Sequence, residues 1–200
     1  MTMKQEFMKR ILDILLSILL LLIFIPIFLI TAIFIKLFDK GPIFYSQTRV
    51  GLNGKEFTMY KFRSMIINAD CIKNELNNDV DGPVFKVKKD PRITKIGRLT
   101  RRWSLDEIPQ FYNVLKGEMS MVGPRPLSFE EMDGFEQWKK IRLSVLPGIT
   151  GFWQIEARDH KKFEDWIFYD TEYVKNWSIT TDLKILLKTV LVVLRGKGAF

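Results

Sequence analysis

Between Ile14 and Ile35 the chain reads ILLSILLLLIFIPIFLITAIFI, 22 residues without a charge. No other feature limits the fold as much. A straight helix of that length rises about 33 Å, enough to cross the hydrocarbon core of a bilayer. A buried soluble helix is rarely so uniformly aliphatic, and no small-residue cleavage site follows the run as it would a signal peptide. Pro26 lies near its middle, where the ring removes one helical hydrogen bond and presses on the preceding turn. Each half is too short to cross alone. Lys4, Lys9 and Arg10 precede the run, and Lys36 and Lys40 follow it. By the positive-inside tendency both flanks favour the cytoplasm. A kinked helix that dips in and returns satisfies flanks and length; a spanning helix satisfies the length. The residues alone leave both open.

The rest of the composition narrows the chemistry. Cys71 is the only cysteine and His160 the only histidine among 200 residues. A disulfide scaffold is excluded, as is a zinc site built from His and Cys ligands. A Ser–His or Cys–His nucleophile would have to work through His160, so carboxylates are the better suspects. The pattern predicts an α+β, predominantly helical chain: a membrane segment over 1–40 and one cytosol-facing domain over 41–200. Strand-like runs at 43–49 and 55–62 meet through Gly51-Leu52-Asn53-Gly54, a hairpin signal. Helical patterns fall at 64–78, 104–116, 128–142 and 161–176. The stretch 182–195 places Lys184, Lys188 and Arg195 on one helical face, fit either to lie in the headgroup layer or to pack on the core. Trp138, Trp153, Trp166 and Trp177 read as interfacial anchors or as core residues.

The net charge is +8, and nearly all of it is local. From Val84 to Arg102 stand Lys86, Lys88, Lys89, Arg92, Lys95, Arg98, Arg101 and Arg102, against Asp90 alone. A solvated face, anionic lipid headgroups or nucleic acid would each suit such a run, but no nucleic-acid-binding motif accompanies it. A membrane-anchored protein that binds anionic lipid or nucleic acid without catalysis is the rival that this stretch supports. Directly after it comes Ser104-Leu105-Asp106-Glu107, a capping-box pattern at a helix start. The same geometry serves phosphate chemistry, since helix N-termini and arginines bind phosphate. A carboxylate there attacks a phosphoryl group only if cations neutralise the repulsion, and Mg²⁺ is the natural divalent ion. Gly123-Pro124-Arg125-Pro126 fixes a further arginine between two prolines.

These pieces together resemble a known family. Lys9-Arg10-x-x-Asp13 enters the apolar run; GPIFYSQTRVGLNGKEFTMYKFRSM (41–65), DPRITKIGRLTRRWSLDEIPQFYNVLKGEMSMVGPRPL (90–127) and PGITGFWQIEAR (147–158) follow. In this order and spacing they resemble the monotopic phosphoglycosyl transferases, which start bacterial glycan assembly on a polyprenyl phosphate carrier. The resemblance covers about Lys9 to Leu194, and the length matches the small forms that hold the catalytic domain alone. It implies a re-entrant helix broken at Pro26, with Lys9, Arg10 and Asp13 at the membrane entry and both ends on the cytoplasmic face of the inner membrane. The family often has Ser where Ile25 stands, and Gly where Ala157 stands. It also implies that Asp106 is the nucleophile and a Mg²⁺ ligand, with Glu107 assisting. Arg101, Arg125 and Arg158 would contact phosphate. The implied reaction moves a sugar phosphate from a UDP-sugar to polyprenyl phosphate through a covalent Asp106 intermediate, releasing UMP. Membrane lipid and downstream glycosyltransferases would be the other partners, with nucleic acid excluded.

Overall fold

The computed structural model describes residues 2–158 and 160–196, so the last four residues of the expected 41–200 unit lie outside the described residues. Helix α1 (Met3–Phe34) starts at a capping box in which Thr2 and Gln5 bond reciprocally. It is not broken at Pro26. Helical structure runs through the proline to Phe34 and continues as a π-helical turn over Ile35–Asp39. The proline removes a single donor, and its neighbours Phe24 and Phe28 are packed on the core, which holds the helical path. The chain turns instead at Lys40 and Gly41, both at positive φ.

One face of α1 repeats every three or four residues and is pressed against the remaining chain. Asp13 and Ser17 are buried near one end, Thr31 near the other, with Leu20, Leu21, Phe24 and Phe28 between. The opposite face leaves Leu15, Leu22, Leu29 and Ile33 exposed. With its π turn, this is one helix of 37 residues, long and apolar enough to cross a membrane. It is also docked lengthwise on the folded domain.

Strands β1 (Phe44–Val50) and β2 (Glu56–Phe62) form the expected antiparallel hairpin, with Tyr45 opposite Lys61 and Phe44 opposite Phe62. Phe28 of α1 lies 4.7 Å from the Phe62 ring, joining helix and hairpin. The predicted helix at 64–78 is absent; turns and a short 3-10 segment at Lys73–Glu75 stand there, and Asn68 takes positive φ. The end of the basic run forms α2 (Lys95–Arg102), capped by Thr94, whose hydroxyl also donates to Asp39 at 2.7 Å, while Lys86, Lys88, Lys89 and Arg92 precede it in irregular structure. The predicted helix 104–116 is split by Pro109 into a 3-10 turn (Leu105–Glu107) and α3 (Gln110–Lys116). Ser104 makes no cap. It takes the left-handed region at φ 53°, so the capping-box reading fails there.

Strand β3 (Ser120–Val122) pairs in parallel with β4 (Gly148–Thr150). Their backbones approach so closely that a Cβ on Gly148 would sit 2.0 Å from the Gly123 nitrogen. Helices α4 (Glu136–Arg142), α5 (Phe152–Glu156), α6 (Phe163–Lys175) and α7 (Ile179–Arg195) complete the fold. The expected 128–142 helix reduces to α4 and a 3-10 turn at Glu130–Met132, because Gly134 at positive φ separates them. Trp138, Trp153 and Trp166 are core residues. Helix α7 buries Ile185 and exposes Leu183, Leu187, Leu191 and Leu194 beside Lys184, Lys188 and Arg195, so its outer surface is an apolar strip flanked by a basic one.

Lys9, Arg10 and Asp13, just before the apolar run, have partners in the folded body. Lys9 donates to Asp182 of α7 at 2.6 Å and to the Val122 carbonyl at 3.0 Å. Arg10 caps the C-terminal end of α3 through the Val114 and Leu115 carbonyls, where the helix dipole is negative. Asp13 accepts from the Met121 amide. All three thus brace the folded body, Lys9 and Asp13 at β3 and Arg10 at α3. Removing one partner of a buried pair leaves the other uncompensated, so Lys9→Met should lose roughly 3 kcal/mol of stability. Thermal unfolding of the variant in detergent checks this; an unchanged midpoint would show that the pair contributes nothing.

Candidate active site

A cavity of about 570 Å³ lies between the hairpin, the 66–89 segment, the end of α2 and the loops after β3 and α5. Its lining includes Arg101, Asp106, Arg125 and Arg158, four of the residues singled out in the sequence. Each arrives on a different element. Gly97 lets α2 touch the backbone of Ser64, since a Cβ there would fall 1.9 Å from the Ser64 carbonyl oxygen. That approach brings Arg101 Nε to 2.9 Å from Ser64 Oγ. The left-handed Ser104 then turns the chain into the 3-10 segment that carries Asp106 and Glu107.

Arg125 is delivered by the loop after β3, and its Nη1 stands 3.3 Å from Glu107 Oε1. Behind it, Arg142 donates to the Arg125 carbonyl, stacks over Trp138 and faces Asp170 at 3.6 Å. Arg158 follows α5, its carbonyl accepting from Lys86 Nζ. Lys61 was missed by the sequence reading: its Nζ lies 3.2 Å from Glu107 Oε1, opposite Arg125. The signal was present. Lys61 and Arg63 are two apart on an extended run, Tyr45, Gln47 and Arg49 repeat with the same period on the partner strand, and all five line the cavity.

Two adjacent carboxylates in one buried site cannot be equally easy to ionise. Burial, and then the charge of Glu107, push the Asp106 carboxyl above its usual value, while Lys61, Arg101 and Arg158 oppose the shift. Burial also works against Glu107, but Lys61, Arg125 and Arg158 outweigh it and hold that carboxyl down at about 2. Burial depresses the Lys61 ammonium, with Glu107 acting the other way. The site therefore holds a fixed anion, Glu107, clamped by two cations, beside a more basic carboxylate, Asp106. A basic carboxylate facing cations is a nucleophile or cation ligand toward phosphate.

Among the described residues, no group of three His, Cys, Asp or Glu side chains could cage a metal by itself. Asp106 still suits a hard divalent ion that takes its other ligands from phosphate oxygens and water, as Mg²⁺ does. Such an ion would relieve the charge that makes Asp106 costly to ionise.

The profile of the bacterial sugar transferase family matches residues 4–196. The chain is 51% identical over 164 residues to galactosyl transferase CpsE of Streptococcus agalactiae serotype III, covering 80% of this chain and 36% of that protein. It is 40% identical over 200 residues to UDP-glucose:undecaprenyl-phosphate glucose-1-phosphate transferase of Klebsiella pneumoniae, covering 96% of this chain and 41% of that protein. Exopolysaccharide production protein ExoY of Sinorhizobium fredii is 38% identical over 198 residues, which is 96% of this chain and 88% of ExoY. The chain thus spans about two-fifths of the first two relatives and most of the third.

The opposite electrostatics of the carboxylates give opposite mutant stabilities. A carboxyl raised in the fold contributes stability below its unfolded value and loses it as pH rises through the folded value; one depressed does the reverse. Asp106→Asn should therefore melt at or above the parent temperature at pH 7. Glu107→Gln leaves Lys61 and Arg125 uncompensated and should lose roughly 3 kcal/mol. That loss should shrink as pH falls below about 4.5, the ordinary value for Glu. Thermal melts of both variants across pH measure it.

Proposed function

From the premise that this chain belongs to the bacterial sugar transferase family, we propose that it transfers a sugar phosphate from a UDP-sugar to polyprenyl phosphate at the cytoplasmic face of the inner membrane. The observation that carries this reading is the buried Asp106–Glu107 pair ringed by Lys61, Arg101, Arg125 and Arg158. Every one of those cations suits phosphate, and the similar Klebsiella protein is named for UDP-glucose and undecaprenyl phosphate.

In the proposed first step an Asp106 carboxylate oxygen attacks the β-phosphorus of the donor. The bond to the bridging oxygen breaks, and UMP leaves with the electron pair. In the second step a phosphate oxygen of the polyprenyl phosphate attacks the same phosphorus, releasing the carboxylate and forming a polyprenyl diphosphate sugar. Arg101, Arg125 and Arg158 hold the diphosphate against the nucleophile and take up charge on the equatorial oxygens. Glu107, kept ionised, fixes Lys61 and Arg125 at the ring of cations. Mg²⁺ held by Asp106 and the substrate phosphates would neutralise charge on the leaving group. The product is a lipid-linked sugar, the substrate class of downstream glycosyltransferases.

Helix α1 supports a monotopic placement. Lys9 and Arg10 tie its start, and Asp39 with Thr94 ties its end, to the same folded body. Flanks fixed to one body favour one side of a bilayer, with the exposed face of α1 and the apolar face of α7 toward lipid.

The test is UMP release from a panel of UDP-sugars with polyprenyl phosphate and Mg²⁺. Turnover is expected with at least one sugar and should fall by about 10³-fold or more in Asp106→Asn, while the variant stays with the membrane fraction. An Asp106→Asn variant as active as the parent would overturn Asp106 as the nucleophile, and a parent that releases no UMP from any of the sugars would leave the site to lipid binding without catalysis.

A further inference from the structure

The hairpin turns three cations into the cavity, and two of them are paired: Lys61 with Glu107, Arg49 with Glu131. Arg63 differs. Only 6% of it is exposed, and none of its three guanidinium nitrogens meets a hydrogen-bond partner among the described residues. Arginine does not shed its proton, and an uncompensated buried charge is strongly unfavourable. An anion that arrives and leaves would complete this position.

The surroundings indicate which anion. A Cβ on Gly41 would fall 2.3 Å from Arg63 Nη1 and 3.0 Å from Ile67 Cδ1, so the Gly41 backbone and the Ile67 side chain close over the guanidinium. Ile67 is 57% exposed and free to swing on its outer side. The cavity edge here is apolar: Pro42, Phe44, Ile66 and Ile67 line it. Leu37 and Phe38, in the last turn of the apolar helix a few residues before Pro42, are exposed as well. A cation inside, a greasy edge outside and a membrane helix alongside describe the receptor for a phosphate with a long hydrocarbon tail. The UDP-sugar has no such tail, and its diphosphate is served by the arginines around Asp106.

We propose that Arg63 anchors the phosphate of the lipid acceptor, whose chain passes over Phe44, Ile66 and Ile67 toward the end of α1. This rests on the reading above that the acceptor is a polyprenyl phosphate. A guanidinium meets a phosphate monoester through two parallel hydrogen bonds, which a lysine cannot reproduce. The ion waits unpaired until the acceptor displaces Ile67 and reaches it.

The two half-reactions separate the alternatives. Full-length protein in lipid nanodiscs is given UDP-sugar and Mg²⁺ without acceptor, and stoichiometric UMP release is timed. Transfer is then followed against polyprenyl phosphate concentration. Arg63→Gln should keep the UMP burst within about twofold and raise the acceptor KM by about tenfold or more, with Arg63→Lys between. Ile66→Ser combined with Ile67→Ser should raise KM for the long-chain acceptor but not for a short, water-soluble prenyl phosphate. If Arg63→Gln slows UMP release as much as transfer, the residue serves the donor and the proposal is overturned. If it alters neither step, the charge is structural and the proposal is equally overturned. Should Arg63→Gln fail to fold by thermal melting, Arg63→Lys and the double serine variant decide by the same KM criterion. A parent protein that releases no UMP without acceptor defeats the two-step reaction instead, and Arg63 is then judged on the acceptor KM alone.

Discussion

Asp106, buried in the cavity wall, and its partly buried neighbour Glu107 repel each other in a poorly solvating site, and that repulsion has to be offset by cations. Much of the architecture follows from supplying them. The hairpin contributes Lys61, α2 contributes Arg101, the loop after β3 contributes Arg125, and the end of α5 contributes Arg158. Gly97, Gly123 and Gly148 lie where those elements must touch backbone to backbone, which no side chain would allow. The arrangement holds Glu107 ionised and leaves Asp106 the more basic of the two. That asymmetry is what a nucleophile beside an electrostatic clamp needs.

The apolar helix α1 belongs to the same framework. Lys9 and the Tyr173 hydroxyl both reach the Val122 carbonyl, and Asp13 accepts from Met121, so α1 holds the strand that leads into Arg125. Asp182 gathers Lys9, Tyr173 and Trp177 at one buried point, joining α1, α6 and α7. The helix is thus a brace for the site as well as an apolar surface. Its docked face explains why proline is tolerated at position 26: contacts on Phe24 and Phe28 hold what one hydrogen bond no longer does.

Local chemistry in the sequence revealed the hairpin, α6, α7 and the main residues of the cavity. Strand-like runs, Asn53-Gly54 and Arg101 close before Asp106-Glu107 are short-range signals, whereas Arg158 is marked only by the family resemblance. What stayed hidden depended on distant contacts. Ser104-x-x-Glu107 has the letters of a capping box, yet the left-handed Ser104 and the demands of the site put Glu107 on Lys61 and Arg125 instead. The contacts of Lys9, Arg10 and Asp13 were hidden because their partners lie more than 100 residues away. The 64–78 stretch carries helical periodicity but is drawn into turns along the cavity wall, where Ile66, Asn68 and Asp70 line the space.

The central claim is that Asp106 takes the sugar phosphate onto itself. Intact-protein mass spectrometry after brief mixing with UDP-sugar and Mg²⁺, without any lipid acceptor, tests it most directly. The account predicts a mass increase of one sugar phosphate that maps to Asp106 and vanishes when polyprenyl phosphate is added. Turnover with acceptor present but no trappable adduct under any quench would contradict it, and Asp106 would then be a cation ligand in a direct transfer.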